Sequence, residues 1–319
     1  MTKKMILDLD TGVDDALAIA YALGSPEVEL IGITGTYGNV LLEQGLENDL
    51  AILDLLGHSE VPVFAGLPHA QEKDDFEVVP ISAFIHGDNG IGDIEIAPSA
   101  RKIEEMSAVD FIIESVHKFG KDLVYVPTGP LTNLSAAIKK DPTIIDEIGR
   151  VVDMGGALTV CGNVAPWVEA NISQDPDAAN DVFRSGIPCT MIGLDVTLQT
   201  LLTYKETQKW RDLGTEAAKF YADMTDFYIK AYETTSPHLG GCGLHDPLAV
   251  GVAVDPTLVN TLPINMQVDT EGETRGRTIG DNTRLNDPHK TMEVAVQVDV
   301  KRFLFEFMRR IGGLLQDAQ

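Results

Sequence analysis

Apolar residues fall into short continuous runs along this chain, and the runs alternate with longer stretches of helical period. Met5 to Asp10 reads as a strand, and Asp14 to Leu23, closed by Gly24, as a helix. Val28 to Thr34 predicts a second strand, Leu42 to Leu56 a second helix ending at Gly57, and Val61 to Phe64 a weaker third strand. Farther on, Ala108 to Phe119 has helical period, Leu123 to Val126 is a strand, and Thr132 to Lys139 is a helix. Val151 to Met154 and Cys189 to Ile192 complete the regular series as strands. This rhythm predicts an α/β fold, with a mostly parallel, open, Rossmann-like sheet covered by helices on both faces.

Beyond residue 200 the pattern loosens. Tyr204 to Tyr232 predicts mostly helix, Ile264 to Val268 and Met292 to Val298 strands, and Lys301 to Leu315 a closing amphipathic helix. No Pro/Ser-rich linker, low-complexity run or repeat divides the chain, so one domain over residues 1–319 is expected. Residues 71–100, rich in charge, Gly and Pro, are too long for an ordinary connection and predict a functional loop.

Composition changes this picture only where it excludes. With 44% apolar and 23% charged residues the chain fills a core and is not disordered. A net charge of −25 repels phosphate backbones and anionic bilayers, which argues against nucleic-acid and membrane partners. No run approaches the roughly 18 apolar residues of a membrane helix. Cys161, Cys189 and Cys242 are odd in number and widely spaced, so neither a disulfide framework nor a thiolate zinc site fits. With no signal-peptide pattern at the start, a cytoplasmic location is expected.

The strongest chemical signal is Asp8-Leu9-Asp10-Thr11-Gly12-Val13-Asp14-Asp15. Alternation puts Asp8 and Asp10 on one face at the carboxyl end of the first strand, the edge where open α/β sheets bind ligands. Asp14 and Asp15 fall at a helix start, where capping alone would explain either one. Four carboxylates within eight residues raise one another's pKa unless a cation sits among them, and a hard divalent ion takes oxygen ligands.

The D-x-D-x-x-x-D-D start resembles that of the inosine–uridine-type nucleoside hydrolases. Matching segments run from residue 5 to about residue 255: Gly38-Asn39, His86-Gly87-Asp88-Asn89-Gly90, Pro127-Thr128-Gly129-Pro130-Leu131-Thr132-Asn133 and Met154-Gly155-Gly156. They continue through Gly162-Asn163, Glu169-Ala170-Asn171 leading into Asp175-Pro176-Asp177-Ala178-Ala179, and His245-Asp246-Pro247-Leu248-Ala249. The family's Glu-Phe-Asn reads Glu169-Ala170-Asn171 here, so an aromatic is lost between two expected sugar ligands.

The resemblance implies a Ca²⁺-dependent hydrolase that splits ribonucleosides into ribose and free base. It implies metal ligands at Asp10, Asp15, Asp246 and the Thr128 carbonyl, with Asp10 doubling as general base for a Ca²⁺-bound water. Asp14, Asn39, Asn163, Glu169, Asn171 and Asp246 would bind the ribose, with Met154 beside it. His245 would protonate the leaving base, and His86 would contact it. A homodimer or homotetramer is implied as well. Tyr221, Phe227, Tyr228 and Tyr232 lie at helical spacing, a stripe read first as core.

Two rival readings stay open on the sequence. Asp8-x-Asp10-Thr11 also fits a haloacid-dehalogenase-type, Mg²⁺-dependent phosphatase with Asp8 as nucleophile, although no ordered downstream Ser/Thr, Lys and acidic pair accompanies it. A noncatalytic nucleoside or Ca²⁺ binder on the same fold is the other.

Overall fold

In the computed structural model, which describes residues 2–318, β1 (Lys3–Leu9) is buried from Met5 to Leu9. Its alternate side chains enter two separate cores. Met5, Leu7 and Leu9 pack with Val124, Val126 and Val152 on one side of the sheet, and Ile6 packs with Leu123, Tyr125 and Val151 on the other. Burial on both faces is why these strands read as unbroken apolar runs. Met1 and Gln319 lie outside the described residues.

The chain continues through α1 (Val13–Leu23), β2 (Val28–Gly35), α2 (Leu42–Leu55), β3 (Val63–Ala65), α3 (Pro80–His86) and α4 (Ala108–Phe119). Next come β4 (Leu123–Pro127), α5 (Thr132–Lys140), α6 (Ile144–Glu147), β5 (Arg150–Met154), α7 (Ala170–Gln174) and α8 (Pro176–Ser185). They are followed by β6 (Cys189–Ile192), α9 (Leu194–Thr197), β7 (Leu201–Leu202), α10 (Tyr204–Arg211), α11 (Glu216–Thr235), β8 (Cys242–Gly243) and α12 (His245–Val254). The chain ends with β9 (Val259–Ile264), β10 (Met266–Val268), β11 (Thr278–Gly280), β12 (Met292–Val298) and α13 (Val300–Asp317).

Eight strands form one sheet in the order β3-β2-β1-β4-β5-β6-β12-β9. Its neighbours run parallel except β12 with β9. The order reverses at β1, and such a switch point opens a crevice at the carboxyl ends of the strands. Asp8 lies opposite Thr34 of β2 and Pro127 of β4, so the segments leaving these three strands emerge side by side. The expected single-domain, mostly parallel open sheet is thus the observed one.

Several elements differ from expectation. The helix expected over 204–232 is broken between α10 and α11, where Gly214 takes a left-handed φ of 79°. The expected 264–268 strand is two strands. Asn265 turns the chain out of the main sheet, its side chain donating to the carbonyls of Arg284 and His289, and β10 pairs with β11 in a separate ribbon. Helices α7 and α8 form where no helix was expected; Asp175 caps α8 by accepting from the Ala178 amide, and Pro176 opens it. The 71–100 loop contains α3, whose last residue is His86.

Helix α12 lies with its first turn at the crevice and its last turn held from behind. Arg150 donates to the carbonyls of Val252 (3.0 Å) and Ala253 (2.6 Å), acceptors that a helix end leaves bare. Among the described residues no helix is long and apolar enough to cross a membrane.

Candidate functional site

Four aspartates meet in the crevice. Asp14 and Asp15 stand in the first turn of α1 and Asp246 in the first turn of α12, and one carboxylate oxygen from each lies within 4.8 Å of the others. Asp10, just past β1, stands outside this trio but within its field. All four are buried. Helix N-termini offset some of the cost of negative charge here, yet burial dominates. It pushes Asp14 up to about 7 and Asp15 up to about 6, with Asp15's charge adding to the rise at Asp14. Burial and Asp15 likewise hold Asp10 well above the usual carboxylate range, and burial and Asp14 do the same to Asp246. Asp10 Oδ1 and Asp14 Oδ1 have no hydrogen-bond partner. Buried acceptors left open in this way fit a hard cation, whose charge would let all four ionise.

The other oxygens are tightly held. The Asn39 amide donates to Asp10 Oδ2 at 2.7 Å, and Asp15 accepts from the Gly12 amide (2.8 Å), the Thr128 hydroxyl (2.6 Å) and Asn39 Nδ2 (3.3 Å). Glycines make this closeness possible. A Cβ on Gly38 would lie 2.1 Å from Asp10 Oδ2, one on Gly129 3.1 Å from Asp10 Cβ and Cγ, and one on Gly12 2.5 Å from His86 Nδ1. Gly38→Ala is therefore expected to displace the Asp10 carboxylate while leaving the core intact. Misplacing a reacting group by 1 Å costs about 10²-fold in rate, and kcat measured with circular dichroism as a folding control checks it.

On the β4–β5 side, Glu169 caps α7. It accepts from the amides of Gly156 (2.9 Å), Asn171 (2.9 Å) and Ile172 (3.2 Å), and burial raises its pKa. Asn171 Nδ2 donates to the Thr128 carbonyl at 2.6 Å and to the Met154 carbonyl at 3.0 Å, with the Met154 sulfur 3.3 Å away. The Thr128 carbonyl keeps a second lone pair. Asn163 is less central. It sits on an exposed hairpin, and its side-chain oxygen accepts from the Ala170 amide at 2.9 Å.

Both histidines of the matching motifs are buried and neutral. Burial, then the neighbouring His245, lowers His86 to about 3. His86 Nδ1 accepts from the Val13 amide at 3.2 Å, which fixes the proton on Nε2. It also lies 3.8 Å from Asp14, and its ring is 5.3 Å from that of Tyr228. Burial lowers His245 to about 4, and its nitrogens bond Tyr232 Oη (Nε2, 2.7 Å) and Thr197 Oγ1 (Nδ1, 2.7 Å).

The three tyrosines of the stripe are all buried in the core, as expected, and two of them also border the crevice. Tyr221 donates to the Ala16 carbonyl and belongs to the core, as expected. Tyr228 and Tyr232, with hydroxyls 3.5 Å apart, link Asp14 to His245. Helical spacing alone could not separate these two from Tyr221; only the position of α11 beside α1 does.

Sequence reasoning also missed a supporting layer. Asp8 accepts from Thr34 (2.6 Å) and Asn133 (2.8 Å), is fully buried, and is raised to about 6 by that burial. It fixes the loops around the crevice and is sealed from any substrate, which removes the nucleophile that the phosphatase reading needs. Thr11 donates to the buried Asp49 at 2.6 Å. The signal for Asp49 was present: Asn48-Asp49 is a polar pair inside an otherwise apolar helical face.

The chain's likeness to known proteins agrees with this geometry. Residues 5–305 match the family model described as "Inosine-uridine preferring nucleoside hydrolase". The inosine-uridine preferring nucleoside hydrolase of Leishmania major is 36% identical over 98% of this chain and 99% of its own. The pyrimidine-specific ribonucleoside hydrolase of an Escherichia coli O157:H7 strain is 34% identical over 93% of each. Among solved structures, the purine-preferring ribonucleoside hydrolase from Gardnerella vaginalis superposes with a TM-score of 0.98 at 78% identity, over 98% of this chain and 99% of that one.

Proposed function

Because this chain belongs to the inosine-uridine preferring nucleoside hydrolase family and so hydrolyses ribonucleosides to ribose and free base, we propose that its crevice works with one Ca²⁺ ion. Asp10, Asp15, Asp246 and the Thr128 carbonyl would hold it. The observation that carries this reading is the convergence of buried carboxylates, with Asp10 Oδ1 and Asp14 Oδ1 left without partners. The donor set is all oxygen, which suits Ca²⁺ rather than a softer metal. When bound, the cation would supply the counter-charge for the carboxylates, an anchor for sugar hydroxyls and a lowered pKa for water.

The residues of the chain then divide the reaction. Asp10 takes one proton from the attacking water, its other oxygen steadied by the Asn39 amide. Asp14, Asn39, Asn163, Glu169, Asn171 and Asp246 bind the ribose hydroxyls, with Met154 against the ring. The charges of Asp14 and Glu169 stabilise the cationic ribosyl that develops as the C1′–N bond breaks. The departing base nitrogen needs a proton, which His245 in its protonated form would pass through the Tyr232 hydroxyl bonded to it, the tyrosine releasing its own proton to the base as it takes the histidine's. His86 borders the base.

A purine is the preferred base, a reading supported by 78% identity to the purine-preferring hydrolase of Gardnerella vaginalis. The enzyme is a cytoplasmic homodimer or homotetramer. Its three free cysteines, two of them buried, suit a reducing compartment.

Chelation tests the metal reading. Protein stripped with EDTA is expected to lose ribose release from inosine, guanosine, uridine and cytidine, and added Ca²⁺ to restore it, fastest for the purines. At 100 times the dissociation constant, binding adds about 2.7 kcal/mol, or roughly 4 °C in Tm for a chain of this length. Full activity in verified metal-free protein would overturn it.

A further inference from the structure

We propose that Thr197 is a positioning residue for His245: its hydroxyl locks the imidazole ring and sets the resting proton on Nε2, the nitrogen that faces Tyr232. The proposal rests on the reading of His245 as the source of the leaving base's proton, and it names the group that aims that source.

The place of the proton follows from hydrogen-bond accounting. Thr197 is fully buried, and among the described residues its Oγ1 has one partner, His245 Nδ1 at 2.7 Å. A neutral imidazole has one N–H and one bare nitrogen, whereas a hydroxyl can donate and accept. Were the N–H on Nδ1, Thr197 would accept from it, and its own hydrogen would be buried with no acceptor, which native interiors avoid. Thr197 therefore donates to Nδ1, and the ring donates from Nε2 to Tyr232 Oη at 2.7 Å. The hydrogen of Tyr232 is left for Tyr228 Oη, 3.5 Å away, or for a base in the crevice. When the ring carries a second proton, the same hydroxyl turns to accept from Nδ1, and the ring keeps its plane.

Thr197 can serve as a fixed point because α9 is stapled in place. The Thr197 amide donates to the Gly193 carbonyl at 3.2 Å, and its carbonyl accepts from the Thr200 amide (3.2 Å) and hydroxyl (3.0 Å). Two residues earlier, Asp195 accepts from the amides of Leu158 (3.0 Å) and Thr159 (2.6 Å) and from the Thr159 hydroxyl (2.6 Å). The Leu194 amide donates to the Gly156 carbonyl at 2.9 Å. One helical turn thus joins the segment that follows Met154, on the sugar side, to His245. The Gly243 backbone hems the ring from another direction, since a Cβ there would lie 2.6 Å from Nε2. With Thr197, Tyr232 and Gly243 in place, the imidazole has one orientation.

¹⁵N NMR of histidine-labelled protein tests the place of the proton, with His245→Gln identifying the His245 signals. The wild type is expected to show Nδ1 as a bare, hydrogen-bonded nitrogen and Nε2 as the protonated one. Thr197→Ser should reproduce that pattern, and Thr197→Val should move Nδ1 to the position of an unbonded nitrogen. Thr197→Val is also expected to lower kcat for inosine by about 10-fold to 10²-fold, the cost of a misplaced reacting group, with KM little changed. Nitrophenyl riboside, whose leaving group departs without a proton, should be spared in Thr197→Val, and Thr197→Ser should recover most of the inosine rate. Valine matches threonine in shape, and an unchanged nitrophenyl riboside rate shows that the variant is folded. A protonated Nδ1 in the wild type, or a wild-type inosine rate in Thr197→Val, would overturn the proposal. Full inosine turnover in His245→Gln would instead strike the acid reading, and the NMR pattern would still decide whether Thr197 sets the ring.

Discussion

Asp10→Asn is expected to fold normally and to lose between about 10² and 10⁴ of kcat, the usual worth of a general base. The amide keeps the size of the side chain and still accepts from the Asn39 amide through its oxygen. What it loses is the open oxygen, Asp10 Oδ1, which has no partner in the protein and is the place for a proton from water. An NH₂ at that position donates instead of accepting. It also removes one negative charge from a set in which neighbouring carboxylates help raise Asp10, Asp14 and Asp246. Weaker cation binding should therefore accompany the loss of rate, and saturating Ca²⁺ separates the two effects. A kcat near wild type under saturating Ca²⁺ would assign the proton transfer to another group.

The second large effect concerns the sugar. 2′-Deoxyinosine is expected to fall below inosine in kcat/KM by about 10⁴-fold, whereas exchanging one natural base for another should change it by about 10²-fold or less. The side chains proposed for the ribose are polar and held in place: Asp14 and Asp246 stand in the first turns of their helices, Glu169 caps α7, Asn171 donates to the Thr128 carbonyl and Asn39 to the Asp15 carboxylate. Removing a hydroxyl leaves such groups unpaired, a larger penalty than exchanging one base for another. Parallel kcat/KM measurements on ribo- and deoxyribonucleosides decide it. Efficient cleavage of deoxynucleosides with sharp discrimination among bases would overturn the proposed grip on the ribose.

Much of this arrangement was legible in the amino-acid sequence because its signals are local. An apolar run such as Met5 to Leu9 is buried on both faces, so its reading as a central parallel strand needs no tertiary information. The acidic turn from Asp8 to Asp15 joins a strand end to a helix start within a few residues, and that adjacency alone places carboxylates at a sheet edge. Asp246 and Asn171 were reached only through motifs that resemble a family, since nothing near them reveals what they face. Where the reading went astray or stopped short, distant contacts decide the outcome. Tyr232 is a core residue as expected, but that its hydroxyl also meets His245 shows only once α11 has docked. Asp8 looks like a ligand until Asn133, 125 positions away, closes over it. The 264–268 strand fails because Asn265 bonds carbonyls of a later loop.

The switch point at β1 also has a kinetic meaning. Asp8 finds its β-ladder partner at Pro127, and Asp10 meets Asp246 only once α12 has docked beside α1. Topologies closed by such distant pairings reach their transition state slowly. No short fragment of the chain contains the whole carboxylate set, so the mutual repulsion among these aspartates is met in full only when distant segments have come together. A cation taken up there acts on the finished molecule. Under the proposed function, a cation bound there would slow unfolding with little effect on the folding rate, acting as a brake on unfolding.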